Sequence, residues 1–204
     1  MIIIGITGSI GMGKSTIAEM LKQLNIPVFD SDKEVKFILE NNSIVQKQIC
    51  DIWPDVMLTQ KSEQKINKHI LSEKIFTNKK NRRILEKIIH PLVKERRNLF
   101  INDASESLIV ALDVPLLYET RSDQFCDDVF LAHTDEDTQK KRVLGRLGMT
   151  AEKLDLIKKA QWSNEKKRKK NPYLITTSYG KVVSFIIIIA YLIIIILKRR
   201  ILQV

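Results

Sequence analysis

The run Gly8-Ser9-Ile10-Gly11-Met12-Gly13-Lys14-Ser15 fits the pattern G-x-x-x-x-G-K-[ST] and stands between a predicted strand and a predicted helix, the context in which that pattern cradles phosphates. Its glycines let the backbone curl until successive N–H groups point inward at phosphate oxygens, and the positive end of the following helix adds to the field. Gly11, Met12, Gly13, Lys14, Ser15 and Thr16 are therefore the expected nucleotide-binding residues, with Lys14 reaching the β- and γ-phosphates and the Ser15 hydroxyl ligating Mg²⁺. ATP and Mg²⁺ are the cofactors implied. A chance glycine-rich turn is the competing reading, and the complete motif in its required context argues against it. The motif fixes a nucleotide but leaves the reaction open, since switches, motors, transporter ATPases and small-molecule kinases all share it.

Carboxylates at two strand ends could choose the reaction. Val28-Phe29-Asp30-Ser31-Asp32 places acids at the C-terminal edge of the expected sheet, where open α/β folds bind ligands. A kinase acting on an alcohol needs a group that orients the hydroxyl and accepts its proton. Alternation along an extended segment would point Asp30 and Asp32 the same way, with Asp32 nearer the following helix. Helix N-capping by Ser31 or Asp32 suits the same residues, and spacing alone does not separate cap from base at Asp32. The apolar run Leu108-Ile109-Val110-Ala111-Leu112 delivers Asp113 at its end, the place of a Walker-B-type Asp that assists Mg²⁺. Gln139, Arg142 and Arg146 fall at helical spacings, the arginines four apart and so on one predicted face. Near a lid they would neutralise charge on a transferred phosphoryl group; surface arginines paired with acids are the plainer account.

The elements that must position these residues read as an α/β fold. Ile2 to Thr7 is a continuously apolar strand buried on both faces, which implies a parallel sheet. Lys14 to Leu24 has helical spacing and stops at Asn25 and Pro27. Residues 33–103 read as mostly helical, longer than a simple crossover, and are expected to form a substrate-covering insert. Strand patterns return at Leu108–Leu112, Val129–Ala132 and Tyr173–Thr176, with helices expected over 135–147 and 150–170, joined at Gly148. The expected architecture is a P-loop NTPase-type parallel sheet flanked by helices, a kinase domain over 1–180 with a lid and following helix at about 135–170, and an atypical tail over 181–204.

With 44% hydrophobic and 28% charged residues, the chain of 204 is an ordinary globular protein and neither disordered nor fibrous. A net charge of +10 favours polyanions in general, but much of it lies in Lys166–Lys170 and Lys198–Arg200, which read equally as a solvated helix face and a basic tail. Cys50 and Cys126 stand apart with no partner motif, so a reducing compartment is expected, and the opening residues lack a signal peptide's charged and apolar regions.

These motifs together resemble the dephospho-CoA kinase family. The resemblance rests on Ile6 to Thr16, on Val28-Phe29-Asp30-Ser31-Asp32 beside the family's I-D-A-D, on His90-Pro91, on Leu112-Asp113-Val114-Pro115-Leu116-Leu117-Tyr118-Glu119, on Gln139 to Arg146, and on Gln161 before the basic run. It covers about Met1 to Gly180. It implies transfer of the γ-phosphoryl group of ATP to the ribose 3′-hydroxyl of dephospho-CoA in the cytoplasm, with no nucleic-acid partner, by a monomer or small homo-oligomer. Asp32 then becomes the base, Lys14, Arg142 and Arg146 the charge-neutralising groups, and His90 a substrate-pocket residue that would otherwise read as structural beside a helix-disrupting proline. The competing classes are another small nucleoside or nucleotide kinase and a membrane-tethered ATP-binding protein without turnover.

The C-terminus departs from that family. Asn171-Pro172 replaces its small residue and Asp, and Val182 to Leu197 is an almost wholly apolar run of 16 residues between Lys181 and Lys198-Arg199-Arg200. No polar face remains for a surface helix. The run falls just short of the roughly 17 to 25 residues of a membrane span. A membrane anchor through 182–197, a helix packed into an oligomer interface and a frame-altered end of an AT-rich gene are the three readings, and the shortness of the run favours the last over the anchor.

Overall fold

A computed structural model describes residues 1–60 and 63–202, excepting the side chains of 58–60, 63–65, 76 and 202. The chain divides into two compact units, Met1–Phe29 with Ala104–Val204, and Asp30–Asp103.

The first unit is built on a five-stranded sheet. Its strands are β1 (Ile2–Thr7), β2 (Val28–Asp30), and then, after the second unit, β5 (Ile109–Asp113), β6 (Asp128–His133) and β7 (Tyr173–Thr176), in the order β2-β5-β1-β6-β7. β1 runs parallel to β5 and to β6, and β6 parallel to β7. This is the parallel sheet that the uninterrupted apolar strands predicted: Ile4, Ile6, Val110, Ala111, Phe130 and Leu131 are wholly buried, as strands covered on both faces must be. Helix α1 (Lys14–Gln23) follows β1 and buries Ile17, Ala18, Met20 and Leu21. The register sets Ile6 beside Asp113 and Thr7 beside Leu131, so β1 is flanked at its C-terminal end by both neighbours. That is where strand order reverses and where such sheets bind ligands.

The helices expected over 135–147 and 150–170 are shorter and more numerous. They are α6 (Glu136–Leu144), α7 (Ala151–Ala160) and α8 (Asn164–Arg168), with Asp135, Thr150 and Ser163 as side-chain N-caps. Gly145 ends α6 and the capping Ser163 restarts the chain as α8, breaks that helical periodicity alone did not show.

The tail is a helix of the same unit, α9 (Lys181–Leu202). Ser184, Ile188, Leu192 and Ile195 are buried on one face, the last three joining the core cluster of β1, β6 and α1. The Tyr191 and Tyr173 rings pack at a tilt with centroids 4.9 Å apart, and the Arg199 guanidinium pairs with Asp127. An apolar helix lacking a polar face packs here by giving one apolar side to the sheet, so residues 181–202 form part of the core and not a detached end.

The second unit comprises α2 (Ser31–Asn41), α3 (Ser43–Ile52), a hairpin of β3 (Met57–Gln60) and β4 (Glu63–Ile66), α4 (Lys68–Thr77) and α5 (Lys79–Asp103). The hairpin lies in a stretch expected to be mostly helical. Its core gathers Ile38, Val45, Ile49, Trp53, Val56, Ile66, Leu71, Leu85 and Ile89. Asn42 and Asn67 cap α3 and α4 through their side-chain oxygens.

Candidate functional site

The phosphate loop is held in shape from behind. Between β1 and α1 the backbone takes left-handed angles at Gly11 (φ 77°) and Gly13 (φ 94°). A Cβ on Gly13 would lie 2.7 Å from Thr177 Oγ1 and one on Gly11 2.6 Å from Val143 Cγ2, so both positions need glycine for angle and for space. Ser9 N–H donates to Asn164 Oδ1 (3.2 Å), and the Ser9 hydroxyl lies 3.1 Å from the Trp162 carbonyl. Ile10 N–H donates to Gln161 Oε1 (3.0 Å), Gln139 Nε2 donates to the Ile10 carbonyl (2.6 Å), and the Thr177 hydroxyl donates to the Met12 carbonyl (2.9 Å). These side chains bind the loop's outer edge and preorganise its curl, which lowers the cost of ordering it around an anion.

At the inner edge, Lys14 Nζ meets Asp113 Oδ1 at 2.5 Å, joining the first residue of α1 to the last of β5. Asp113 is 3% exposed, so the Lys14 ammonium is a close, charge-assisted partner for a carboxylate largely removed from water. Ser15 is exposed beside Lys14, and Thr16 N–H bonds back to the Gly13 carbonyl (3.1 Å). Among the described residues no group of three or more His, Cys, Asp or Glu gathers. The donor set of one hydroxyl and one carboxylate, both hard oxygens, fits Mg²⁺, which keeps several waters and takes one or two protein oxygens besides phosphate oxygens.

A second ion pair lies behind the first. Lys167, read in sequence as one of a solvated basic run, is wholly buried in α8. Its ammonium donates to the Pro115 carbonyl (2.9 Å) and to Thr7 Oγ1 (3.3 Å) and pairs with Glu119 Oε1 (3.2 Å). The same Glu119 oxygen accepts from Trp162 N–H (2.7 Å). Lys167 thus ties the end of β1 to the segment after β5, where the loop and Asp113 begin. Burial pushes its pKa down, and the Glu119 carboxylate pulls it back up.

The remaining expected residues are placed differently. Arg142 donates from its two terminal nitrogens to Thr177 Oγ1 (2.8 Å) and to the Thr177 carbonyl (2.7 Å), on the residue that also holds Met12. Arg146 does not share its helical face: α6 ends at Leu144, and Arg146 stands exposed in the bend beyond the Gly145 cap. In the second unit the cap of α2 is Asp30, whose Oδ1 accepts from Lys33 N–H at 3.1 Å. Asp32 is therefore the second residue of the helix, released from the capping role the spacing left open. Because the helix begins at Ser31, the extended alternation that aligned Asp30 with Asp32 does not apply. His90 is exposed on α5, which runs through Pro91 instead of stopping there, and lines a shallow groove with Arg83, Glu86, Lys87, Pro91 and Lys94.

Gln161 carried a sequence signal through the family resemblance. Asn164, Thr177, Glu119 as a buried anion and Lys167 did not, because nothing in a polar residue's type marks it as loop support.

His133 closes β6, and its Nδ1 is buried with no hydrogen-bond partner among the described residues. Burial and the Arg168 charge lower its pKa below 6.5, against a smaller opposing pull from Asp135. The unfolded chain then binds more protons than the folded one just below pH 6.5, so the stability is fully present above that value and is lost as pH falls through it towards the lower folded pKa. Thermal melts should drop as pH falls below 6.5, and His133→Gln should flatten part of that fall; an unchanged slope would remove His133 as its source.

Comparison with known proteins places the chain among relatives. The dephospho-CoA kinase family model matches residues 2–181, ending where α9 begins. A dephospho-CoA kinase from Rhodopseudomonas palustris (strain HaA2) is 34% identical over 182 residues, 88% of each chain. One from Rhizobium meliloti (strain 1021) is 36% identical, covering 87% of this chain and 90% of its own. The solved structure of a dephospho-CoA kinase from Campylobacter jejuni superposes with a TM-score of 0.66 at 25% identity, covering 93% of this chain and 94% of that one.

Proposed function

This chain belongs to the dephospho-CoA kinase family, and from that premise we propose that it transfers the γ-phosphoryl group of ATP to the ribose 3′-hydroxyl of dephospho-CoA, giving coenzyme A and ADP. The observation that carries this reading is the Lys14–Asp113 pair at a phosphate loop whose outer edge is already braced. In the reaction the 3′-oxygen forms a bond to the γ-phosphorus, the bond from that phosphorus to the β,γ-bridging oxygen breaks, and the hydroxyl proton leaves to a base. The loop amides of Gly11 to Thr16 cradle the phosphates, and Lys14 neutralises charge on the β- and γ-oxygens. Arg142 and Arg146 contribute further positive charge to the transferred group. Asp32 orients the hydroxyl and takes its proton, and His90 contacts the acceptor. Mg²⁺, held by Ser15 and Asp113, would supply charge neutralisation across the β- and γ-phosphates. Catalysis is then mainly positioning and electrostatic stabilisation, in the cytoplasm, where ATP is available.

The test is ADP release by the purified chain with Mg·ATP, with dephospho-CoA, adenosine or AMP as acceptor. Stimulation by dephospho-CoA alone is expected. Equal stimulation by AMP or adenosine would move the chain to the nucleoside and nucleotide kinases, and ATP binding with no acceptor-dependent turnover would make it a binding protein.

A further inference from the structure

α9 carries a second apolar face besides the one it buries. Val182, Ile186, Ile193, Leu197 and Ile201, spaced by about three to four residues or their multiples, are each more than half exposed, and no charged residue interrupts the helix between Lys181 and Lys198. At about 1.5 Å per residue this 22-residue helix is about 33 Å long, so the stripe is a continuous surface and not the scattered apolar exposure of an ordinary monomer.

We propose that this face rests on an anionic lipid surface, with α9 lying in the plane of the membrane and holding the protein there peripherally. The charges select the occupant. No acidic residue follows Glu165 in the sequence, and Lys181, Lys198 and Arg200 stand exposed at the two ends of the stripe. Pairing α9 with a second copy of itself would set Lys198-Arg199-Arg200 against the same cations if parallel, or against Lys181 if antiparallel, with no carboxylate on either helix to answer them. Phosphate headgroups answer both ends at once, while the isoleucines enter the acyl boundary. Packing rules out a span: crossing the bilayer would withdraw Ile188, Leu192 and Ile195 from the core and break the Arg199–Asp127 pair.

Flotation of the full chain with vesicles tests this. It should float with vesicles of phosphatidylcholine and phosphatidylglycerol, float less as salt is raised, and stay in solution with phosphatidylcholine alone. The double variant Ile186→Glu, Ile193→Glu should lower the floated fraction about tenfold while leaving phosphoryl transfer intact. Should that variant melt early, Ile193→Gln alone is the reporter. No flotation of the parent chain, or equal flotation of the variants, overturns the proposal. So does sedimentation showing a lipid-free dimer that the substitutions convert to monomer, since a second copy would then be the occupant.

Discussion

Asp32→Asn is expected to lower kcat for dephospho-CoA by about 10²–10⁴-fold, the range for loss of a positioned general base, while ATP affinity changes little. The neighbouring Asp30→Ala should do the reverse. Asp30 accepts from Lys33 N–H as the cap of α2, so its loss removes about 0.5–2 kcal/mol of stability without touching the transferred proton. The pair separates two functions, cap and base, that spacing alone left open at Asp32 and that the structure divides by placing the cap at Asp30. An amide at position 32 remains an acceptor of hydrogen bonds but cannot take a proton at neutral pH, so the fall should appear in kcat more than in KM. ADP release under saturating ATP and titration calorimetry with ATP check both halves. If Asp32→Asn retained turnover while Asp30→Ala abolished it at unchanged stability, the base would be Asp30.

What the sequence made legible follows from which physical signals are local. β1, β5 and β6 were readable because strands buried on both faces must be apolar throughout, and the phosphate loop because its backbone geometry demands glycine at fixed positions. Asp113 was readable because a strand end fixes where its side chain goes. The supports of the loop were not, since Asn164, Thr177 and Lys167 act across more than 150 positions of chain and look like any surface polar residue until the fold delivers them. The four-residue strands of the hairpin carry too short a period to register, and Gly145 ended α6 before the predicted arginine face could form. The tail was legible in its composition but not in its packing: one apolar face of the helix joins the core and the other is left outward.

The largest loss of stability is expected from Lys167→Met. Methionine matches the aliphatic stem but takes the ammonium away from Glu119, a carboxylate whose Oε2 is already buried with no hydrogen-bond partner among the described residues. Breaking a buried pair by removing one partner costs about 3–5 kcal/mol, a large share of a typical total of about 5–15 kcal/mol. At about 2–4 °C per kcal/mol for a chain of this size, the melting temperature should fall by roughly 6–20 °C. Adding Glu119→Gln should restore much of it, because glutamine keeps an oxygen for Trp162 N–H and removes the buried charge. If the single variant melted within about 1 kcal/mol of the parent, the Lys167–Glu119 pair would contribute little to stability. Function separates support from bulk stability. Lys167 bridges Thr7 and Pro115, which begin the loop and follow Asp113, so the stable double variant should still bind ATP more weakly than the parent. An unchanged KM for ATP in that variant would reduce Lys167 to a stabilising residue with no part in shaping the loop.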